Sequence, residues 1–206
     1  MDPQSLESVS SEVVAVDHRS AKGPVVSAVR GSLLASAVER LKVFGHYERY
    51  VALLSPALRE KVVFSLAMSW LPVDLLVQHC QVCDELMLTD VELQELGGQT
   101  ASSMTRVMLG SMARNVGMTP WLALGSAGRV YDRIYEGGAV SVTRLGPKDL
   151  RLEQVGNPLA QSRYFRLTAR GFYKSLCEMF CKKAYVKPAR GTDSGRDSYA
   201  FAISWV

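Results

Sequence analysis

Four cysteines and three histidines are the residues of this 206-residue chain best suited to chemistry. Cys80 and Cys83 form a Cys-x-x-Cys beside His79, and Cys177 and Cys181 lie four apart. Two such pairs would complete a tetrahedral zinc site if the segments carrying them met. The first pair, however, falls within a helical period rather than at a knuckle turn. Cys80 also joins the stripe of Val73, Leu76, Val77 and Met87, where a small apolar residue suits a core. Ordinary buried cysteines are therefore the leading reading, zinc on Cys80, Cys83, Cys177 and Cys181 is the weaker alternative, and no cofactor is expected. Cys177 and Cys181 continue a stripe of Arg163, Arg166, Arg170 and Lys174. Neighbouring cations lower a thiol's pKa and make it reactive. The simpler account buries the cysteines against other helices and lets the arginines reach solvent.

Other chemistry finds little footing. Gly125-Ser126-Ala127-Gly128 is one residue short of a nucleophile elbow and has no strand before it. Gly97-Gly98-Gln99-Thr100 lacks the Lys-Ser/Thr end of a phosphate loop. Acid pairs such as Asp84-Glu85 and Asp90 with Glu92 read as helix-surface and helix-start charges. No residue is nominated as catalytic, and the chain reads as something other than an enzyme. Met104, Met108 and Met112 recur every four residues on one helix. Flexible thioethers suit an adaptable cavity or partner groove as well as an ordinary core. With Phe172 and Leu176 they form the candidate lining of an apolar ligand cavity.

The elements that must position these residues follow from periodicity and punctuation. Residues 1–22 are polar and Ser-rich and read as a flexible tail, with a short strand at 13–16. Residues 23–206 read as a single α+β domain, helical over 23–136 and ββαββ over 137–206. In residues 27–44, Val29, Leu33, Leu34, Ala37, Leu41 and Phe44 fall on one helical face that Gly45 ends. Ser55-Pro56 opens a helix running toward Trp70, and Pro72 restarts the chain into another through Met87. Thr89 and Glu92 form a capping box before a helix spanning Gly97-Gly98 to about residue 115. Thr119-Pro120 starts a further helix that Gly137-Gly138 closes. Residues 139–145 and 150–155 alternate around the turn Gly146-Pro147-Lys148-Asp149, which makes a hairpin. A long helix over 162–183 follows, then strands at 185–187 and 198–206. Tyr199, Phe201, Ile203 and Trp205 share one face of the last strand and are expected to pack on Phe165, Phe172, Leu176 and Phe180.

Composition sets the broad class. Apolar residues make up 48% and charged residues 21%, the balance of a globular domain. The most apolar stretch, residues 62–77, is interrupted by Ser65, Ser69, Pro72 and Asp74, so no membrane insertion is expected. Asp2, Glu7 and Glu12 do not fit a signal peptide, and four cysteines in a chain this long without one suit the reducing cytoplasm. From Arg151 onward ten Lys/Arg face four Asp/Glu, a basic bias that contact with nucleic acid would use. Without a helix-turn-helix, that partner is not expected, and a solvated basic face is the plainer reading.

A helix ending in Tyr131-Asp132-Arg133-Ile134-Tyr135-Glu136-Gly137-Gly138 runs into the hairpin. The Gly-containing helix Arg170-Gly171-Phe172-Tyr173 and the aromatic strand Tyr199 to Trp205 follow. This order resembles the superfold of 4-vinyl-reductase domains, heme-nitric-oxide-binding domains and TRAPP tethering subunits. With Ser69-Trp70-Leu71-Pro72 included, the chain resembles an uncharacterised domain family best known from myxobacteria. The resemblance implies a helical layer on a four-stranded antiparallel sheet, self-pairing or protein partners, and an apolar cavity filled in some relatives by heme, an aromatic compound or an acyl chain. In the gas-sensing relatives a helical histidine holds the iron and a Tyr-x-Ser-x-Arg motif clamps the propionates. Residues 101–115 contain no histidine, His18 lies in the tail and His46 past a helix end, and no Tyr-x-Ser-x-Arg occurs, so the sequence argues against heme. The leading expectation is a non-catalytic interaction or regulatory domain, homodimeric or part of an assembly. A small-molecule sensor for an aromatic or acyl ligand is the alternative, and a DNA-binding regulator ranks third.

Overall fold

The computed structural model of the chain describes residues 15–65, 67–109, 119–190 and 195–206. The chain opens with β1 (Ala15–Arg19) and β2 (Ala28–Arg30), and then runs through α1 (Gly31–Val43), α2 (Tyr47–Leu53) and α3 (Pro56–Val63). After β3 (Trp70–Pro72) come α4 (Val73–Glu85), α5 (Asp90–Leu109), α6 (Pro120–Leu124) and α7 (Ala127–Ile134). The last part holds β4 (Tyr135–Glu136), β5 (Ala139–Gly146), β6 (Asp149–Val155), a 3-10 turn (Pro158–Gln161), α8 (Arg163–Glu178), β7 (Ala184–Ala189) and β8 (Tyr199–Trp205). The α+β architecture is the one the sequence implies: a helical layer on an antiparallel sheet.

Local chemistry sets many of these boundaries. Ser55 Oγ accepts from Leu58 N, and Pro56 follows at a position where its missing N–H costs nothing. Glu92 accepts from both the Thr89 N–H and hydroxyl while Thr89 Oγ1 accepts from Glu92 N, the reciprocal capping box. Ser162 caps α8 by accepting from Phe165 N.

The main sheet has the order β1-β5-β6-β8-β7, all pairs antiparallel. Its first strand corrects the reading of residues 1–22 as a tail, because Ala15–Arg19 pairs with β5 in the register His18↔Val140. That gives five strands where ββαββ supplies four. A second sheet, β3-β2-β4, was not foreseen. Residues 28–30, read as helix, are its central strand, and Gly31 begins the helix instead. The helix from Ser55 stops at Val63 rather than nearing Trp70, leaving Phe64 75% and Met68 84% exposed.

Register arranges the inner face of the main sheet in rows. Leu150 pairs with Ile203, and Ile203 with Val186. The next row is Val142, Leu152 and Phe201, followed by Val140, Gln154 and Tyr199. All nine side chains are buried. Over this face lies α8, which also runs along α5. The two helices meet backbone to backbone. A Cβ added at Gly97 would lie 1.9 Å from the Thr168 carbonyl oxygen, and one at Gly171 would lie 1.9 Å from that of Gln94. Among the described residues no helix is long and apolar enough to cross a membrane.

Candidate functional site

Between the helical layer and the Val140–Gln154–Tyr199 end of the sheet lies a cavity of about 320 Å³. Its wall is mostly apolar. α1 brings Leu33, Leu34 and Ala37, α7 brings Val130 and Ile134, and α8 brings Phe165, Phe172 and Leu176. Two predicted lining residues, Phe172 and Leu176, stand in this wall. Met104, Met108 and Met112 lie outside the residues whose side chains are described. Phe172 and Leu176 are half-buried, so they are not the closed core expected beneath the last strand. That contact falls to Phe165, whose ring centroid is 5.8 Å from that of Tyr199, and to Tyr173, 6.0 Å from Phe201.

Polar groups enter the wall at few points. His79 on α4 is 1% exposed and lines the cavity. Its Nδ1 lies 2.7 Å from Tyr50 Oη, its Nε2 lies 3.6 Å from Cys83 Sγ, and the Tyr164 ring stands edge-on at 5.8 Å. Burial lowers the His79 pKa to about 4, so the ring is neutral at physiological pH. On the sheet side Gln154 Nε2 donates to Tyr173 Oη at 3.0 Å, and burial pushes the Tyr173 phenol up to about 12. Arg129 of α7 donates to Ser126 Oγ at 3.1 Å. Two lining residues each carry a buried polar atom, Arg40 Nε and Tyr131 Oη, with no hydrogen-bond partner among the described residues.

The thiols are not a reactive set. Burial raises Cys80 and Cys83 well above the usual thiol range, with Asp84 reinforcing it in both and Cys80 reinforcing it in Cys83. Burial also pushes Cys177 up to about 12, with Cys181 and Glu178 adding to the shift. Of the basic stripe, Arg163, Arg166 and Lys174 are exposed as the simpler account expects, and Arg170 is half-buried. Arg170 Nε donates to the Val186 carbonyl at 2.7 Å, and Arg163 donates to the Leu88 carbonyl and pairs with Asp90. Among the described residues no three His, Cys, Asp or Glu side chains gather as a metal cluster would.

Three cavity groups escaped the sequence reading. His79 was seen only as the neighbour of a Cys-x-x-Cys. Arg40 carried a legible signal, since Leu33, Ala37, Arg40 and Phe44 follow helical spacing and a charge inside an apolar stripe asks for a partner. Tyr131 sits in the quoted helix end, but nothing local shows that it lines a cavity.

Solved structures share this architecture. An iron(II) H-NOX protein from K. algicida, without bound ligand, superposes with a TM-score of 0.63 at 12% identity, covering 86% of this chain and 96% of that one. A mutant H-NOX from T. tengcongensis gives 0.62 at 11%, covering 85% and 97%. An oxygen-binding H-NOX domain related to soluble guanylate cyclases, in its oxygen complex, gives 0.60 at 10%, covering 85% and 94%. The likeness establishes the fold. No family model matches the chain, and no curated protein matches it. These structures correct the expectation of a chain without cofactor and the case against heme, since further structures of the same fold are described by their heme distortion and heme redox potential. That case rested on a histidine-free helix at residues 101–115, on the places of His18 and His46 and on the missing Tyr-x-Ser-x-Arg motif, whereas the fold brings His79 to the cavity from α4.

Proposed function

We propose that this chain is a sensor domain whose input is a bulky, largely apolar small molecule held between the helical layer and the sheet. The cavity carries this reading: an apolar wall with a few convergent polar groups is the usual form of a small-molecule site, and roughly 300–1,000 Å³ is the usual range of volumes. The wall draws on α1, α4, α5, α7, α8 and the sheet at once. A molecule bound there touches both layers and favours whichever relative packing it fits best, which turns occupancy into a signal.

Heme is the first ligand to weigh, and the residues present fit it. Apolar side chains suit the macrocycle, and His79 is a buried neutral imidazole of the kind iron takes. With Nδ1–H donated to the Tyr50 oxygen, Nε2 keeps its lone pair and, among the described residues, has the 3.6 Å thiol contact to give up. An iron porphyrin would supply a site for a diatomic gas. The chain itself would orient the imidazole through Tyr50 and exclude water with the α1 and α8 walls.

Titration of the full chain with hemin, protoporphyrin IX and palmitate, read by absorption, native mass spectrometry and thermal shift, tests the proposal. At least one probe should load at one equivalent and raise the melting midpoint. Failure of all three to bind would remove the sensor reading. Self-association is a second reading, favoured by the exposed Val63, Phe64 and Met68 beside β3. Sedimentation equilibrium should then report a dimer that Phe64→Asp dissociates.

A further inference from the structure

We infer that the groove between α3, β3 and α4 is a two-fold interface, filled by the same groove of a second copy of this chain. This rests on the self-association reading and adds its symmetry and its contacts. One wall carries Lys61 of α3 and, just past the helix end, Phe64 and Ser65. The other carries Asp74, Leu75 and Gln78 of α4, and Leu71 and Pro72 of β3 lie along the groove between them. Phe64 is 75% exposed, and Val63, Met68 and Pro72 are exposed as well. Single apolar side chains in solvent are ordinary, but four beside one groove with a polar rim mark a surface that another molecule covers. β3 is also an edge strand of its sheet, which leaves that flank open.

The charges decide what covers it. Lys61 and Asp74 are both exposed on the two walls, and neither enters an ion pair among the described residues. A nucleic acid or an anionic lipid surface drawn to Lys61 would be repelled by Asp74. A peptide strongly charged in either sense meets the same conflict. A second copy does not, because in a two-fold contact residue i meets residue j and j meets i. Half a turn about an axis along the groove sets the α3 wall of each copy on the α4 wall of the other. Lys61 then meets the partner's Asp74 while Asp74 meets the partner's Lys61, so one patch makes two opposite-charge pairs. The same rotation lays each Phe64 over the partner's Leu75, which takes both rings out of water. α4 lines the cavity as well, through Leu76, His79 and Cys80, so the interface stands on a helix that a bound molecule would touch.

The test is sedimentation equilibrium of the full chain from about 1 μM to about 1 mM, with charge reversals at the two walls. The wild type should dimerise. Lys61→Asp and Asp74→Lys each create two like-charge contacts across the axis, and each should weaken the dimer about tenfold or more. An equal mixture of the two variants should restore a dimer, because one copy then carries two acids and the other two lysines, and every cross-pair is again opposite. The double variant Lys61→Asp/Asp74→Lys should dimerise within about threefold of the wild type. Recovery in the mixture and in the double variant separates a charge effect from misfolding. Dimerisation of both single variants at wild-type strength, or a mixture no stronger than either variant alone, would overturn the inference. The self-association reading would then still stand if Phe64→Asp dissociates the dimer. A wild type that stays monomeric over the whole range would sink both and leave the sensor reading untouched.

Discussion

The inner face of the main sheet has a solid end and a hollow end. At the Leu150–Ile203–Val186 end the side chains are 0%, 0% and 4% exposed and none of them borders the cavity. At the Val140–Gln154–Tyr199 end the burial is nearly as deep, yet all three line the cavity, and one of them is a polar amide hydrogen-bonded to Tyr173. Low exposure therefore means two different things on one face. A residue at the solid end fills space, whereas a residue at the hollow end shapes it.

That difference is measurable, beginning with the largest effect. Ile203→Ala opens a void in a filled layer and should cost about 2–5 kcal/mol, read as a lowered urea midpoint at unchanged slope. A loss near zero would mean the solid end is not solid. Next comes His79, whose neutral ring faces the cavity. Its folded pKa lies near 4, below the ordinary value, so as pH falls the unfolded chain takes up the proton first. Its contribution is complete above about pH 6.5, declines as pH falls toward 4 and is then flat, a loss on the order of 3 kcal/mol. His79→Leu should remove that slope from a pH series of chemical denaturations, and an unchanged slope would place the titrating group elsewhere. Phe172→Ala is the third case. It enlarges a cavity that already exists at a half-buried position, so about 1 kcal/mol is expected rather than the cost of a truncated core aromatic. If it matches Ile203→Ala, the contrast between the two ends collapses. The smallest effect belongs to Lys174→Ala on the exposed side of α8, which should stay within about 0.5 kcal/mol.

The solid end was legible in the sequence and the hollow end was not, for a physical reason. Strand alternation in residues 139–145, 150–155 and 198–206 states which side chains face inward, and β5, β6 and β8 follow it. The caps at Ser55 and Thr89 are equally local and equally readable. β2, β3 and β4 are two or three residues long, too short to show a period, and they exist only because distant segments pair. Whether an inward residue meets another side chain or a cavity depends on how the helices close over the sheet. That is why Phe172 was assigned both to the core beneath the last strand and to a cavity wall, and His79 was passed over. Arg40 was passed over as well, although its place in the Leu33–Ala37–Phe44 stripe is visible without any structure.

The crossing of α5 and α8 has a mechanical consequence. Helices separated by side chains can slip past each other, because rotamers act as a compliant layer between them. At Gly97 and Gly171 that layer is missing, and each helix rests on the other's peptide groups. A push on either is passed on undamped, so the pair behaves as one stiff beam. Both members touch the cavity, α5 through Gly97 and Thr100 and α8 through Thr168 and Leu176, and the far flank of α8 holds the β7 backbone through Arg170. Strain introduced at the cavity is therefore delivered to the outer strand of the sheet as displacement rather than absorbed on the way.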